Sequence, residues 1–128
     1  MKIDPNSHVP IYLQIVEGVR AAIAAGVYRP GELLPSLRVL AVDLVVDPNT
    51  VQKAYDQLER EGLVFSRRGV GVFVAKRGTE SAQSQAEDTV LDAFTQGIQA
   101  GRAANLASER LRALFDTAMD ALHKTVRT

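Results

Sequence analysis

The order of local signals between Leu34 and Val74 constrains the fold more than any other part of this sequence. Ser36 is a natural N-cap for a short helix with an apolar face. Asp47 and Pro48 then begin a second helix, because a carboxylate caps free backbone amides and proline has no amide to leave unpaired. Gly62 ends that helix, and two short strands follow it. A capped helix, a tight turn, a second capped helix and a β-hairpin predict a winged helix-turn-helix.

The rest of the chain extends this motif to an α+β fold. A helix with apolar residues at spacings of three and four is predicted from about Pro10 to Gly26, so the motif has three helices. We expect residues 1–76 to form the winged helix-turn-helix domain, with a two-stranded wing. Residues 77–87 are polar and are predicted to be a linker that runs into helix. Residues 88–128 are predicted to be a small unit of two helices.

The two C-terminal helices each carry an apolar stripe that a pair of this length can hardly bury alone. Self-association is the natural way to cover both stripes, and a two-fold dimer would place two DNA-reading helices on successive turns of a duplex. The residues expected to form the dimer contact are Leu91, Phe94, Ile98, Leu111, Leu114, Phe115, Met119 and Leu122.

Polar and basic side chains remain on the outer face of the motif once its apolar positions are assigned to the core. Asparagine and glutamine suit adenine, lysine suits guanine or phosphate, and glycine lets backbone approach a groove wall. An arginine in the first turn of a helix is unfavourable for the helix dipole, which favours a contact outside the helix for Arg38. The predicted DNA-binding residues are Ser36, Arg38, Asn49, Thr50, Gln52, Lys53, Arg67, Arg68, Gly69 and Gly71.

An ordinary solvated helix face is the alternative interpretation of the same polar residues. Their position directly after a capped helix and a tight turn favours the DNA-reading interpretation. The short segment Gly69-Val70-Gly71 resembles the start of a dinucleotide-binding loop, but strand rather than helix is predicted after it, which makes that interpretation weak.

Composition excludes several other functions. The 128 residues carry 15 basic and 15 acidic side chains, so any attraction to DNA must come from a local basic face rather than from net charge. The absence of cysteine excludes disulfides and thiolate metal sites, and the two histidines stand apart, so no metal or cofactor is expected. No stretch is long and apolar enough to cross a bilayer, and the N-terminus lacks the apolar core of a signal peptide; we expect a cytoplasmic protein without a membrane partner.

Five segments together resemble the GntR family of bacterial transcription regulators, and within it the small YtrA-like subfamily. These segments are residues 10–15, 31–41, 48–55, 58–63 and 68–74, and the resemblance covers roughly residues 8–75. It implies DNA contact by the positions of Arg38, Asn49, Thr50, Gln52, Lys53, Arg68 and Gly69. It also implies a homodimer on a pseudo-palindromic operator, which usually acts as a repressor and associates with the nucleoid when bound.

One position departs from the family pattern. Where the family usually has glycine in the turn between its second and third helices, this chain has Val45. A β-branched residue is costly at positive φ, so either the turn is rebuilt or the preceding helix runs one residue longer.

Two other classes of function are alternatives to a regulator. A winged helix can act as a protein-interaction module, but such a module has little need for polar and basic residues on both helix and wing. An enzyme is weaker still, since no nucleophile with a base, no paired carboxylates and no phosphate loop are found. Whether an unidentified small-molecule effector binds, at the junction of the domains or across the dimer, is left open.

Overall fold

Residues 1–127, which the structure describes, form five helices and a two-stranded antiparallel sheet, in the order that the sequence predicts. The elements are α1 (Ile11–Ala24), α2 (Leu37–Leu44), α3 (Pro48–Arg60), β1 (Val64–Arg67), β2 (Gly71–Val74), α4 (Gly78–Ala103) and α5 (Ser108–Arg127). This computed structural model describes residues 1–127, and side chains as far as His123; Thr128, the end of the predicted C-terminal unit, lies outside the described residues. The α+β class with a winged helix-turn-helix is confirmed.

The core of the N-terminal part is built from the apolar faces of α1 and α3. Helix α1 buries Ile15, Val16, Val19 and Ile23, at the three- and four-residue spacing of one helix face. Helix α3 contributes Val51, Ala54, Tyr55 and Leu58 to the same cluster. Burying one large aliphatic side chain stabilises a fold by roughly 1.5–3 kcal/mol, so this cluster fixes α3 against α1.

Side-chain caps begin both helices of the helix-turn-helix. The hydroxyl oxygen of Ser36 accepts a hydrogen bond of 3.2 Å from the Val39 amide, and Asp47 Oδ1 accepts one of 2.7 Å from the Asn49 amide. Each cap satisfies a backbone amide that has no partner within its helix, so the boundaries of α2 and α3 follow from local sequence.

The turn after α2 differs from both alternatives that the sequence suggested. Helix α2 still ends at Leu44, and Val45 itself takes the left-handed conformation, with φ 56° and ψ 52°. The Val46 amide then donates to the carbonyl oxygen of Ala41 at 2.9 Å, which closes the helix end in the way that glycine usually permits. The turn is therefore neither rebuilt nor preceded by a longer helix; valine occupies the strained position.

The wing is an antiparallel hairpin in which Phe65 pairs with Phe73 and Arg67 with Gly71. Gly69 lies in its turn with φ 78°, and the Val70 amide donates to the Arg67 carbonyl at 3.0 Å. An isolated bridge from Leu33 to Phe73 joins the segment before α2 to the outer side of β2. This bridge fixes the base of the wing.

Helix α4 begins at Gly78, so the predicted linker, residues 77–87, is almost entirely helical. Tertiary contacts hold this segment against the first unit: Ala82 is fully buried in the core, and Gly78 lies so close to Leu63 that a side chain there would be 3.0 Å from its carbonyl oxygen. The side-chain nitrogen of Gln83, Nε2, also donates to the carbonyl oxygen of Ala24 at 3.0 Å. These contacts could not be predicted from the polar composition of the segment.

The chain divides into two compact units, Met1–Ala86 and the remainder from Glu87. In the second unit, Gly101 packs directly against the Leu111 side chain, and the rings of Phe94 and Phe115 meet edge to face at 5.5 Å between centroids. Asn105, with φ 63°, lies in the turn between α4 and α5. Among the described residues, no helix is long and apolar enough to cross a membrane.

Candidate nucleic-acid interface

The N-terminus of α2 presents the first two predicted contact residues. Ser36 and Arg38 are both exposed there. The Ser36 oxygen accepts the capping bond, which leaves its hydroxyl hydrogen free to donate to an outside acceptor. Unpaired amides at a helix N-terminus attract anions, and the Arg38 guanidinium adds a cation beside them. This end of α2 can therefore bind a phosphate group.

The outer face of α3 carries the next group of predicted residues. Successive residues on a helix are about 100° apart, so Asn49, Gln52, Lys53 and Asp56 share the side opposite the buried residues of α3. All four are exposed, while Thr50 is half-buried at the edge of this face. We call these four residues the α3 face.

Gln52 and Asp56 are hydrogen-bonded to each other across one turn of α3. Gln52 Nε2 donates to Asp56 Oδ1 at 2.8 Å. The side-chain amide of Gln52 is thus held by a neighbour on the α3 face rather than free in solvent. Its carbonyl oxygen and its second N–H remain available to a ligand.

Lys53 is held by an aromatic ring on α1. Its Nζ lies 4.0 Å from the centre of the Tyr12 ring, within the range of a cation–π interaction. Tyr12 itself is half-buried against the core. The ammonium is therefore positioned at the border between α3 and α1, where it can meet a phosphate or a base edge.

The three basic or glycine positions near the wing tip have different environments. Arg68 and Gly69 occupy the turn and are exposed. The guanidinium of Arg67 lies 5.9 Å from the centre of the Phe65 ring and 5.8 Å from that of Phe73, so it covers the outer aromatic surface of the wing. Arg68 is the wing cation that extends most freely toward a ligand.

Gly71 has an intramolecular reason to be glycine. Its φ is 145°, and a side chain there would meet the Leu33 methyl carbon at 2.9 Å. Leu33 reaches the wing through its bridge with Phe73. The missing side chain of Gly71 therefore gives room for the base of the wing, apart from any role in approaching DNA.

A buried tyrosine links α3 to the start of α2. Tyr55 donates a hydrogen bond of 2.8 Å from its hydroxyl to the carbonyl oxygen of Pro35, the residue before the Ser36 N-cap. Burial raises the pKa of this hydroxyl, and the nearby Tyr28 raises it further. The predicted residues of α2 and the α3 face thus belong to one rigid arrangement.

Tyr12, Tyr55 and Asp56 are not among the contact residues that the sequence predicts, yet each of them holds or positions one of the elements of the site. The spacing of Gln52 and Asp56 could have indicated their bond, since residues four apart on a helix are neighbours. The contact of Tyr12 with Lys53 has no such local signal, because 41 positions of sequence separate the two residues.

Seven of the eight predicted dimer residues are large apolar side chains exposed on the second unit, and Leu111 is half-buried against Gly101. A groove of about 520 Å³ runs along this surface. Arg102 and Arg112 lie among its lining residues. Among the residues that the structure describes, no cluster of three or more His, Cys, Asp or Glu could hold a metal ion.

Comparison with known proteins gives consistent matches. Residues 11–74 match the family described as "Bacterial regulatory proteins, gntR family". The chain is 35% identical over 107 residues to the HTH-type transcriptional repressor YtrA of Bacillus subtilis, a match that spans 77% of this chain and 82% of that protein. A second relative, the uncharacterized HTH-type transcriptional regulator YhcF of Bacillus subtilis, is 36% identical over 96 residues, or 73% of this chain and 79% of that protein.

Solved structures show the same similarity. A GntR family transcriptional regulator from Listeria monocytogenes superimposes with a TM-score of 0.76 and 29% identity, over 90% of this chain and 98% of that one. The DNA-binding domain of AraR, solved in complex with operator ORX1, superimposes with a TM-score of 0.54 and 31% identity, over 59% of this chain and 93% of that domain.

Proposed function

Since this chain belongs to the GntR family of bacterial regulatory proteins, we propose that it is a transcription regulator that binds operator DNA and acts as a repressor. The observation that carries the proposal is the α3 face, with its exposed asparagine, glutamine and lysine, in a chain that spans most of a repressor of the same family. The similar proteins are named as regulators or repressors of transcription, and this chain is not an enzyme.

We assign separate tasks to the three groups of contact residues. Asn49, Gln52 and Lys53 enter the major groove, where amides and ammonium can discriminate base edges. Two other elements contact the DNA phosphates on either side of this groove: the start of α2, at Ser36 and Arg38, and the turn of the wing. These phosphate contacts set the register of the protein on the duplex. Thr50 lies at the edge of the α3 face, where its hydroxyl can donate to a phosphate.

The exposed apolar surface of the second unit supports a homodimer as the form that binds DNA. Large side chains such as Phe94, Phe115 and Met119 are 45–55% exposed there, and such a surface calls for a partner. A second copy would cover it by two-fold symmetry and would present two α3 faces to a pseudo-palindromic operator. We place this dimer in the cytoplasm, associated with the nucleoid when it is bound to DNA. The groove on the second unit is a candidate site for a small-molecule effector of unidentified chemistry.

Binding to DNA tests the proposal directly. Fluorescence anisotropy with labelled duplexes from the protein's own promoter region, at several salt concentrations, should show a clear preference over random duplexes of equal length. Lys53→Ala and Arg68→Ala should each weaken binding by about 1–2 kcal/mol, and Gln52→Ala should also relax base preference. A wild-type protein that binds both kinds of duplex equally would reject operator binding and favour a protein-interaction module.

A further inference from the structure

We propose that Asp56 is a specificity-determining residue that acts through Gln52, by fixing which way the Gln52 amide faces. The proposal rests on the DNA-binding function proposed above and concerns how the α3 face discriminates bases. Its basis is the hydrogen bond of 2.8 Å from Gln52 Nε2 to Asp56 Oδ1.

The chemistry of the pair sets the orientation of the amide. An ionised carboxylate only accepts hydrogen bonds, so Gln52 must turn its nitrogen, and not its oxygen, toward Asp56. One N–H is then occupied, while the other N–H and the carbonyl oxygen stay free. A donor and an acceptor side by side are what a glutamine needs to bind the N7 and N6 positions of adenine together. Asp56 therefore selects one of the two amide orientations before DNA arrives.

Pre-orientation matters because both residues are exposed. A free glutamine side chain on the surface samples many rotamers, and ordering it on binding costs roughly 0.5–1.5 kcal/mol. A partner one turn away on the same helix reduces that cost, since α3 is held rigidly by its buried face.

The charge of Asp56 acts in a second way. Lys53 is directed to the Tyr12 ring, and Arg60 donates to the side chain of Gln57 at 2.7 Å. Among the described residues Asp56 forms no salt bridge, so its negative charge on the α3 face is not neutralised by a close cation. That charge repels DNA phosphates and lowers affinity for every duplex, so that discrimination rests on the base contact made by Gln52.

Four variants separate the hydrogen bond from the charge. Asp56→Ala removes both; Asp56→Asn removes the charge, keeps an oxygen acceptor for Gln52 and adds an N–H donor that a carboxylate lacks. Gln52→Ala removes the base-reading side chain, and the double variant Gln52→Ala/Asp56→Ala reports whether Asp56 acts through it. Anisotropy on the promoter duplex and on random duplexes gives a preference ratio for each protein, and thermal unfolding confirms that each is folded.

The expected pattern is specific. Asp56→Ala should lower the preference ratio about five- to tenfold, at the lower end of the value of one bidentate base contact. The double variant should have the ratio of Gln52→Ala alone. Asp56→Asn should lower the ratio less than Asp56→Ala does, because its amide can still accept from Gln52 but does not impose one orientation, while its affinity for promoter and random duplexes alike rises about two- to threefold at low salt, as loss of one repulsive charge predicts.

The outcomes also separate this inference from the function on which it rests. A wild-type protein without preference for the promoter duplex rejects the operator-binding function and this role together. If the wild type shows the preference but Asp56→Ala leaves the ratio unchanged, or lowers it equally with and without Gln52, the role of Asp56 is overturned and the DNA-binding function stands.

Discussion

The hydroxyl of Tyr55 donates a hydrogen bond of 2.8 Å to the carbonyl oxygen of Pro35. Tyr55 is 2% exposed and lies on the buried side of α3, while Pro35 immediately precedes the N-cap of α2. The bond therefore joins the two helices of the helix-turn-helix. Because its partners are 20 positions apart, local sequence signals do not predict it. It supports the angle at which α3 is presented to DNA.

Tyr55→Phe should lower the free energy of unfolding by about 1 kcal/mol, because a partly buried hydrogen bond is lost and the Pro35 carbonyl is left without its partner. Urea denaturation measures the change. Tyr12→Phe, which removes a hydroxyl from a half-buried ring elsewhere, is the matched control and should stay within about 0.5 kcal/mol of wild type. Equal losses in both variants would contradict a specific contribution from the Pro35 bond.

Stability should also fall at high pH through Tyr55. Burial raises the pKa of its hydroxyl above the ordinary value, with a further contribution from Tyr28, so the unfolded chain loses this proton first. The contribution of the protonated Tyr55 hydroxyl to the free energy of unfolding is complete below a pH of about 10. It is lost as the pH rises above that value, by up to roughly 1.4 kcal/mol per pH unit for one proton. Denaturation between pH 9 and 11 should show a steeper decline for wild type than for Tyr55→Phe. Parallel curves would exclude Tyr55 as the cause.

Val45→Gly should stabilise the protein by roughly 0.5–1 kcal/mol. The left-handed conformation is costly for valine, and the side chain is 89% exposed, so few contacts are lost to offset the gain. Val42→Gly is the matched control: that valine is 76% exposed but helical, and glycine there should be destabilising. A loss of stability in both variants would show that φ at Val45 is not the source of strain. Thermal unfolding compares the two.

Arg68→Ala and Arg67→Ala should affect DNA binding differently. Arg68 lies in the exposed wing turn, so its removal should weaken binding by about 1–2 kcal/mol and reduce the slope of log affinity against log salt by about 1. Arg67 covers the rings of Phe65 and Phe73, so its removal should have the smaller effect on affinity. Salt titrations of both variants test this order; a greater loss with Arg67→Ala would reverse the assignment of the wing cations.

Phe115→Asp should dissociate the proposed dimer. The ring is 45% exposed and meets Phe94 on the apolar surface of the second unit, where a buried charge at an interface would be costly. Ala113→Asp, the control, introduces the same charge on the opposite side of α5 and should leave the molecular mass of the dimer in solution unchanged. Sedimentation equilibrium distinguishes monomer from dimer. A wild-type monomer, or a dimer that survives Phe115→Asp, would refute this surface as the dimer contact.

Much of the N-terminal unit could be predicted from sequence because its boundaries are set within a few residues. Ser36 and Asp47 cap their helices with oxygen atoms two or three residues from the amides they bind, and proline after Asp47 reinforces the second start. The exposed positions of the α3 face follow in the same way, since helical periodicity alone separates them from the buried side. The identity of the contact residues is a prediction that DNA binding has yet to test.

The sequence by itself determined where helices and strands begin, which faces are apolar and which polar side chains remain outside, because these properties depend on neighbours along the chain. Only the tertiary structure decided the rest. Val45 takes a left-handed conformation between Leu44 and Val46, which both pack against the core, and the polar start of α4 is helical with Ala82 buried in that core. Lys53 is oriented by Tyr12 from another helix. Contacts between residues distant in sequence set these features, and such contacts cannot be predicted from a local sequence pattern.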